Sequence, residues 1–174
     1  MILRAALCLL ALPVAADEFG TTNPEELSLG RMVENARGGD TSMTTCAAGY
    51  LMTKGGDHDD ARATFEACAA AGYTRAMTWM SYLDDNGFGG DTDPAAAADW
   101  NRQAAEAGDP VGMLNHGLDL LRGHGATRDE AAGRALIDQA AAEGVEEALL
   151  LQEAGYDPRA VTPDADEWRY APGS

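Results

Sequence analysis

The feature that most constrains the fold of this chain is an internal repeat with a period of 36 residues. Glycine and aspartate both recur at that interval, at Gly72, Gly108 and Gly144 and at Asp57, Asp93 and Asp129. A period of about 20 to 50 residues is typical of solenoids, in which each unit buries its apolar face against the next unit. We therefore expect a row of stacked units.

Each unit is predicted to be two helices joined by a glycine-rich turn. Asp93 and Pro94 suit a helix start, because aspartate accepts hydrogen bonds from free backbone N–H groups and proline fits the first helical turn. Glycine suits a helix end, where the chain often needs a positive φ. Glycines that end the units are accordingly predicted to be structural residues, namely Gly72, Gly108 and Gly144.

The second helix of the second unit has an amphipathic pattern. Ala97, Trp100 and Ala104 recur at steps of three and four residues, which places them on one side of a helix. Small residues allow two helices to approach closely, and a bulky residue among them fills the gap to the neighbouring unit. We therefore predict that Trp100 is a structural core residue.

The repeat also divides the chain into segments. We predict a signal peptide at 1–16, an N-terminal capping helix within 17–40, three units at about 41–72, 73–108 and 109–144, a half unit at 145–155 and an irregular tail at 156–174. The capping helix is expected to begin near Asn23 and to end near Ala36. Trp168 and Tyr170, in the tail, are expected to pack against the last helix.

The order of small, apolar and turn residues resembles that of the Sel1-like repeat over about residues 41–148. In the second unit this order is Ala76, Met80, Ser81, Gly87, Gly89, Asp93, Ala97, Trp100, Ala104, Ala105 and Gly108. The resemblance implies an all-α fold, a right-handed α/α solenoid related to tetratricopeptide repeats. It further implies a non-catalytic scaffold or adaptor that binds a protein or peptide. Cysteine-rich secreted relatives imply an alternative, a weak β-lactam-binding or β-lactam-hydrolysing protein.

The first sixteen residues have the order of a secretory signal peptide. Arg4 precedes a short apolar run, and small residues follow it up to Ala16. The run is shorter than the roughly 20 residues that span a bilayer. We predict cleavage near Ala16 and a periplasmic or secreted protein; a buried N-terminal helix is the alternative.

Export changes the interpretation of the cysteines. Removal of the signal peptide leaves Cys46 and Cys68, and disulfides persist in oxidising compartments. Cys46 lies about one turn into the first helix of its unit, and Cys68 about one turn before Gly72. These levels coincide in an antiparallel hairpin, so we predict a Cys46–Cys68 disulfide; two buried free thiols are the alternative.

The charge balance excludes several partners. The net charge of −17 repels nucleic acid and anionic lipid, so we expect no nucleic-acid binding. No apolar stretch reaches membrane length, so we expect no stable membrane insertion. The chain has no serine-nucleophile, zinc-protease or phosphate-loop motif. A metal site formed by His116, Asp119 and His124 is conceivable, but the second histidine lies on a different element. We predict no cofactor, no metal and no catalytic residue.

The first helices of the units are predicted to carry the binding surface. Core positions in the second unit are assigned to Ala76, Met77, Met80 and Ser81, which leaves Trp79 and Tyr82 on another side of the helix. The equivalent positions in the other units are Ala47, Tyr50, Asn115 and Leu118. Stacked units would align these residues as one stripe on the concave face. The alternative is that Trp79 and Tyr82 pack against the first helix of a neighbouring unit.

Overall fold

The computed structural model describes residues 28–161, which contain eight helices and no strand. In chain order they are α1 (Leu29–Arg37), α2 (Met43–Gly55), α3 (His58–Ala70), α4 (Thr74–Asn86), α5 (Pro94–Glu106), α6 (Pro110–Arg122), α7 (Glu130–Ala142) and α8 (Glu146–Glu153). Each helix packs against the next along the chain, and α1 also packs against α3. The predicted α/α solenoid is confirmed.

The repeat is preserved in the helix boundaries. The first helices α4, α6 and α8 begin 36 residues apart, at Thr74, Pro110 and Glu146, and each helix from α2 to α7 contains 13 residues. Asp93 and Asp129 accept hydrogen bonds from backbone N–H groups at the starts of α5 and α7. The glycines that end the units have positive φ angles, 91° at Gly72, 88° at Gly108 and 86° at Gly144.

Two glycines reveal which side chains face the core between the helices of a unit. A Cβ atom on Gly49 would lie 2.7 Å from the ring of Phe65, and one on Gly117 would lie 2.9 Å from Ile137. Phe65, Asn101 and Ile137 are spaced by 36 residues, and all three are buried. The buried position of each second helix therefore belongs to this series.

The position predicted for Trp100 needs correction. Trp100 is half-buried and packs against the edge of the core, whereas the neighbouring Asn101 is only 4% exposed. The two residues are about 100° apart around the helix, so they cannot both point into the centre of the unit, and Asn101 stands at the repeat position of the buried Phe65 and Ile137. Asn101, and not Trp100, occupies the central position of α5.

The core consists of two apolar clusters. The first joins α1 to α4 and reaches Ala104 on α5, and the second joins α6, α7 and α8. Val161 and Tyr156 pack against the second cluster, and the Arg122 guanidinium donates to the carbonyl oxygens of Pro158 and Val161. The chain after α8 thus folds back onto the last unit.

Both ends of the described segment have defined helix boundaries. Helix α1 is capped by Ser28 and ends at Arg37, and α8 is followed by Gly155, which has a φ of 64°. The predicted signal peptide, the start of the capping helix at Asn23, and Trp168 and Tyr170 lie outside the described residues. Within residues 28–161, no helix combines the length and apolar character needed to cross a membrane.

Candidate binding groove

A disulfide joins the two helices of the first unit. Cys46 on α2 and Cys68 on α3 are bonded, with their Cα atoms 5.9 Å apart, which confirms the predicted pairing. Cys68 is fully buried, whereas Cys46 is half-buried and contributes to the wall of a groove. The bond therefore fixes one wall of that groove to the core of the unit.

The groove has a volume of about 470 Å³ and lies between α2, α4 and the start of α6. Most of its lining is apolar and aromatic, and the lining residues are Met43, Cys46, Ala47, Tyr50, Phe65, Tyr73, Thr74, Arg75, Ala76, Trp79 and Asp109. Three of them present large apolar surfaces to solvent: Met43 is 79% exposed, Tyr73 40% and Tyr50 37%. This volume suits one or two large side chains of a ligand.

Trp79 forms the floor of the groove. Its ring stacks on Phe65 with a centroid separation of 5.7 Å and meets Tyr50 and Tyr82 edge-on at 5.5 and 5.4 Å. These stacked and edge-on arrangements are the favoured ones for aromatic pairs. Because Phe65 is buried beneath Trp79, the ring is held in place before any ligand arrives.

The structure keeps part of the predicted stripe and rejects the rest. Tyr50 is exposed and Tyr82 is half-buried, but Trp79 is only 8% exposed because it packs against Tyr50 and Phe65 of the preceding unit. Packing against a neighbouring unit was the alternative prediction. In the third unit, Asn115 is 3% exposed and Leu118 0%. Those two residues are core positions, because α7 and α5 cover α6 on both sides, so the exposed stripe does not extend to them.

A hydrogen-bonded pair and a cation–aromatic contact lie beside the groove. The Thr74 hydroxyl donates to Asp109 Oδ2 at 2.6 Å, and Asp109 Oδ1 accepts from the backbone N–H groups of Val111 and Gly112. Lys54 Nζ lies 5.5 Å from the centre of the Tyr50 ring and 5.9 Å from that of Trp79. Cations at this distance are attracted to the faces of aromatic rings.

An ion pair and an aromatic contact fix the loop beyond the groove. Arg62 on α3 donates to Asp84 Oδ1 at 2.6 Å and to the carbonyl oxygen of Phe88 at 3.0 Å. The Phe88 ring stacks on His58 at 4.5 Å and also contacts Tyr82. These contacts tie the turn of the second unit to the first unit.

Sequence reasoning missed a buried polar cluster between α5 and α6. Asn101 Nδ2 donates to Asp119 Oδ2 at 2.9 Å, and His116 Nδ1 lies 4.0 Å from that oxygen. Burial raises the pKa of Asp119 to about 6 and lowers the pKa of His116. Asn101 Oδ1, Asn115 Oδ1 and His116 Nδ1 are buried without a hydrogen-bond partner. The 36-residue spacing from Phe65 to Asn101 was the signal that could have revealed this cluster.

His116, Asp119 and His124, the three residues considered as metal ligands, do not form one cluster. His124 Nε2 contacts Asp85 Oδ1 at 2.5 Å, away from the pair that His116 forms with Asp119. Within residues 28–161, no group of three histidine, cysteine, aspartate or glutamate side chains is arranged to hold a metal ion. The groove itself presents apolar surface and aromatic faces, with Arg75 and Asp109 among its lining residues.

Known proteins resemble this chain in structure. No protein-family model and no curated protein matches it by sequence. Among solved structures, a Sel1 repeat protein from Oxalobacter formigenes shares 27% identity with a TM-score of 0.61, covering 72% of this chain and 97% of that one.

Two other solved structures share the fold at lower identity. Cysteine-rich protein B of Helicobacter pylori is 17% identical, with a TM-score of 0.59 and coverage of 75% of this chain and 96% of that one. A protective antigen present in uropathogenic Escherichia coli strains displays an SLR fold and is 20% identical to this chain, with a TM-score of 0.51. The likeness covers 79% of this chain and 37% of that one. The 36-residue helical units thus have the fold of the Sel1 repeat structures that this chain resembles.

Proposed function

We propose that this protein is an exported, non-catalytic scaffold that binds a protein or peptide segment in the groove between α2 and α4. The observation that carries the proposal is the apolar groove of about 470 Å³, which has the buried Trp79 as its floor and the exposed Met43, Tyr50 and Tyr73 around it. Aromatic residues are over-represented among the side chains that dominate binding energy. The Sel1-like fold supports an interaction scaffold, and no observation on the described residues favours the β-lactam alternative.

The proposed compartment is the periplasm or the exterior. The Cys46–Cys68 disulfide supports it, because such bonds persist in oxidising compartments. The predicted signal peptide at 1–16 supports it from the sequence. The intact mass of protein recovered from the expected compartment tests this part: a chain that begins near Asp17 agrees with export, and a retained Met1 contradicts it.

Site-specific photocrosslinking in cells tests the binding site. A photoreactive phenylalanine derivative replaces Met43 beside the groove or, as the matched control, Leu150, which is 46% exposed on α8. We expect a discrete crosslinked product from position 43 that is lost when Tyr50→Ser is added, and no such product from position 150. Tyr50 is 37% exposed and meets Trp79 edge-on, so its substitution should cost only about 1 kcal/mol and leave the protein folded, which thermal unfolding checks. No product from position 43, or one that Tyr50→Ser leaves intact, contradicts the proposal.

A further inference from the structure

We propose that the groove selects peptide segments in which an aspartate or glutamate stands next to a large apolar side chain, and that Arg75 binds the carboxylate. This inference rests on the proposed function, because it names the chemistry of the segment that occupies the same groove. Arg75 follows directly after the first residue of α4, is exposed and lines the groove.

The unpaired state of Arg75 is the first supporting observation. Within residues 28–161, the Arg75 guanidinium forms no hydrogen bond and no ion pair, although the whole chain has 29 acidic residues and only 12 lysines and arginines. Every other arginine of this segment is paired with a carboxylate or a carbonyl oxygen, namely Arg31, Arg37, Arg62, Arg102, Arg122, Arg128, Arg134 and Arg159. The groove therefore holds a guanidinium that is available to an external acceptor.

Asp109, the acidic residue that lines the groove, already has hydrogen-bond partners within the protein. Asp109 accepts three hydrogen bonds, from the Thr74 hydroxyl and from the N–H groups of Val111 and Gly112. Its negative charge also lies at the N-terminus of α6, where the helix dipole compensates it. Asp109 is thus a structural cap of α6, and it neither neutralises Arg75 nor presents a free carboxylate to a basic ligand.

Lys54 lies beside the aromatic side of the groove. Its ammonium group lies over the Tyr50 and Trp79 rings at 5.5 and 5.9 Å. The rest of the molecule is strongly acidic, with a net charge of −17 for the whole chain. An acidic segment is repelled by this net charge and attracted to the unpaired Arg75 guanidinium in the groove, and complementary charges of this kind set specificity and association rate.

The shape of the groove specifies the second part of the ligand. Met43, Ala47 and Tyr50 line it above the Trp79 floor, so it can hold an apolar side chain, while the Arg75 guanidinium donates hydrogen bonds to the carboxylate beside it. The exposed Met43, Tyr50 and Tyr73 leave the groove open to solvent. We assign the carboxylate to an internal Asp or Glu of the bound segment.

Peptide display tests the assignment directly. A library of random 12-residue peptides, each followed by a carrier protein so that no free C-terminal carboxylate is presented, is selected on the wild type, Arg75→Glu and Arg75→Gln. Arg159→Glu is the control, since this 88% exposed side chain lies beyond α8 and its substitution changes the net charge equally. We expect wild type and Arg159→Glu to enrich Asp or Glu within two positions of an aromatic or large aliphatic residue. A peptide selected on the wild type should bind Arg75→Gln about tenfold more weakly.

The outcomes separate this inference from the proposed function. If Arg75→Glu enriches the same acidic peptides as the wild type, or if wild-type peptides carry no acid, Arg75 does not bind a carboxylate and the inference is overturned. If the wild type enriches no peptide whose binding Tyr50→Ser reduces, groove binding itself fails. Because Arg75 is exposed, an unchanged circular dichroism spectrum is expected for both of its variants.

Discussion

The interface between the first and second units is aromatic, whereas the corresponding interface between the second and third units is polar. Four positions that are related by the 36-residue repeat account for the difference. They are occupied by Phe65 and Asn101, Trp79 and Asn115, Met80 and His116, and Leu83 and Asp119. All four residues of the first interface belong to one apolar cluster. In the second interface, Asn101 binds Asp119 and three buried polar atoms have no partner, whereas the first interface has two such atoms, His58 Nδ1 and Arg62 Nε, both outside these four positions.

The comparison shows that one backbone accepts two kinds of packing with different energies. Apolar burial contributes about 25 cal/mol per Å² and needs no partner of fixed geometry. A buried polar atom without a partner costs about 1–3 kcal/mol, so the second interface is expected to be the weaker one. The groove adjoins the aromatic interface, where Phe65 holds Trp79 in position for a ligand. Rigid packing and the proposed binding site thus coincide.

The substitution Phe65→Asn places in the first interface the residue type that Asn101 supplies to the second. We expect it to reduce stability more than any other variant proposed here. The loss in the free energy of unfolding should be about 3–5 kcal/mol, because an aromatic core residue is removed and the new amide has no acceptor. Leu83 stands where Asp119 accepts the hydrogen bond in the second interface. Urea denaturation followed by circular dichroism measures the loss. With Phe65→Leu as the conservative control, a loss no greater than that of the control contradicts the comparison.

Removal of the disulfide by Cys46→Ala with Cys68→Ala should have the next largest effect. The bonded residues are 22 apart in sequence, and closing a loop of this size stabilises a protein by about 3 kcal/mol. The loss should be confined to the units that contain the aromatic interface. Thermal unfolding of the oxidised wild type, the reduced wild type and the double variant measures it, and three coincident curves rule out a stabilising bond.

Asp119→Asn should stabilise the second interface at neutral pH, by about 1–3 kcal/mol. Burial raises the pKa of Asp119 from its ordinary 3.8 to about 6, so the folded state binds the proton more tightly than the unfolded state. The stability cost is therefore complete above about pH 6 and disappears as the pH falls towards 4. An asparagine can still accept the hydrogen bond from Asn101.

The pH dependence is best measured as the difference between the two proteins. His116, whose pKa is lowered by burial, opposes folding when it is protonated, but it is present in both proteins, as are Asp85, His124 and Arg122. We expect the advantage of Asp119→Asn to be largest at pH 7.5 and to vanish near pH 4. A difference that stays constant from pH 7.5 to 4 means that Asp119 is not the group that titrates.

Trp100→Ala should have the smallest effect of these variants, about 1–2 kcal/mol. Trp100 is half-buried at the edge of the first cluster, so its removal leaves little cavity. Thermal unfolding compared with that of Phe65→Asn measures the difference. A larger loss for Trp100→Ala than for Phe65→Asn restores Trp100 as the central core residue.

Much of the fold could be predicted from sequence features that depend on only a few neighbouring residues. The glycines with positive φ, the aspartate caps and the level of the two cysteines each depend on a few neighbouring positions, and all were predicted. Asn101 was missed because hydrophobicity favours Trp100 at the centre of the same helix face. The close approach of Gly49 to Phe65 and of Gly117 to Ile137, together with the burial of Asn101, shows which residue of the second helix points inwards.

The lining of the groove was predictable only in part for the same reason. Trp79 and Tyr50 were identified because aromatic residues stood outside the expected core positions. Asn115 and Leu118 occupy equivalent positions, but both are buried. Sequence periodicity gives the position of a residue on its helix, and the neighbouring helices decide whether that position is exposed.

Hydrogen exchange of the native protein at pH 7.5 tests the central claim most directly, namely that the aromatic interface is stronger than the polar one. Amides in α3 and α4 should show larger free energies of opening than those in α6 and α7, and Asp119→Asn should narrow the gap by raising the protection of α6. Equal protection of α4 and α6 in the wild type, or a gap that Asp119→Asn leaves unchanged, contradicts the account.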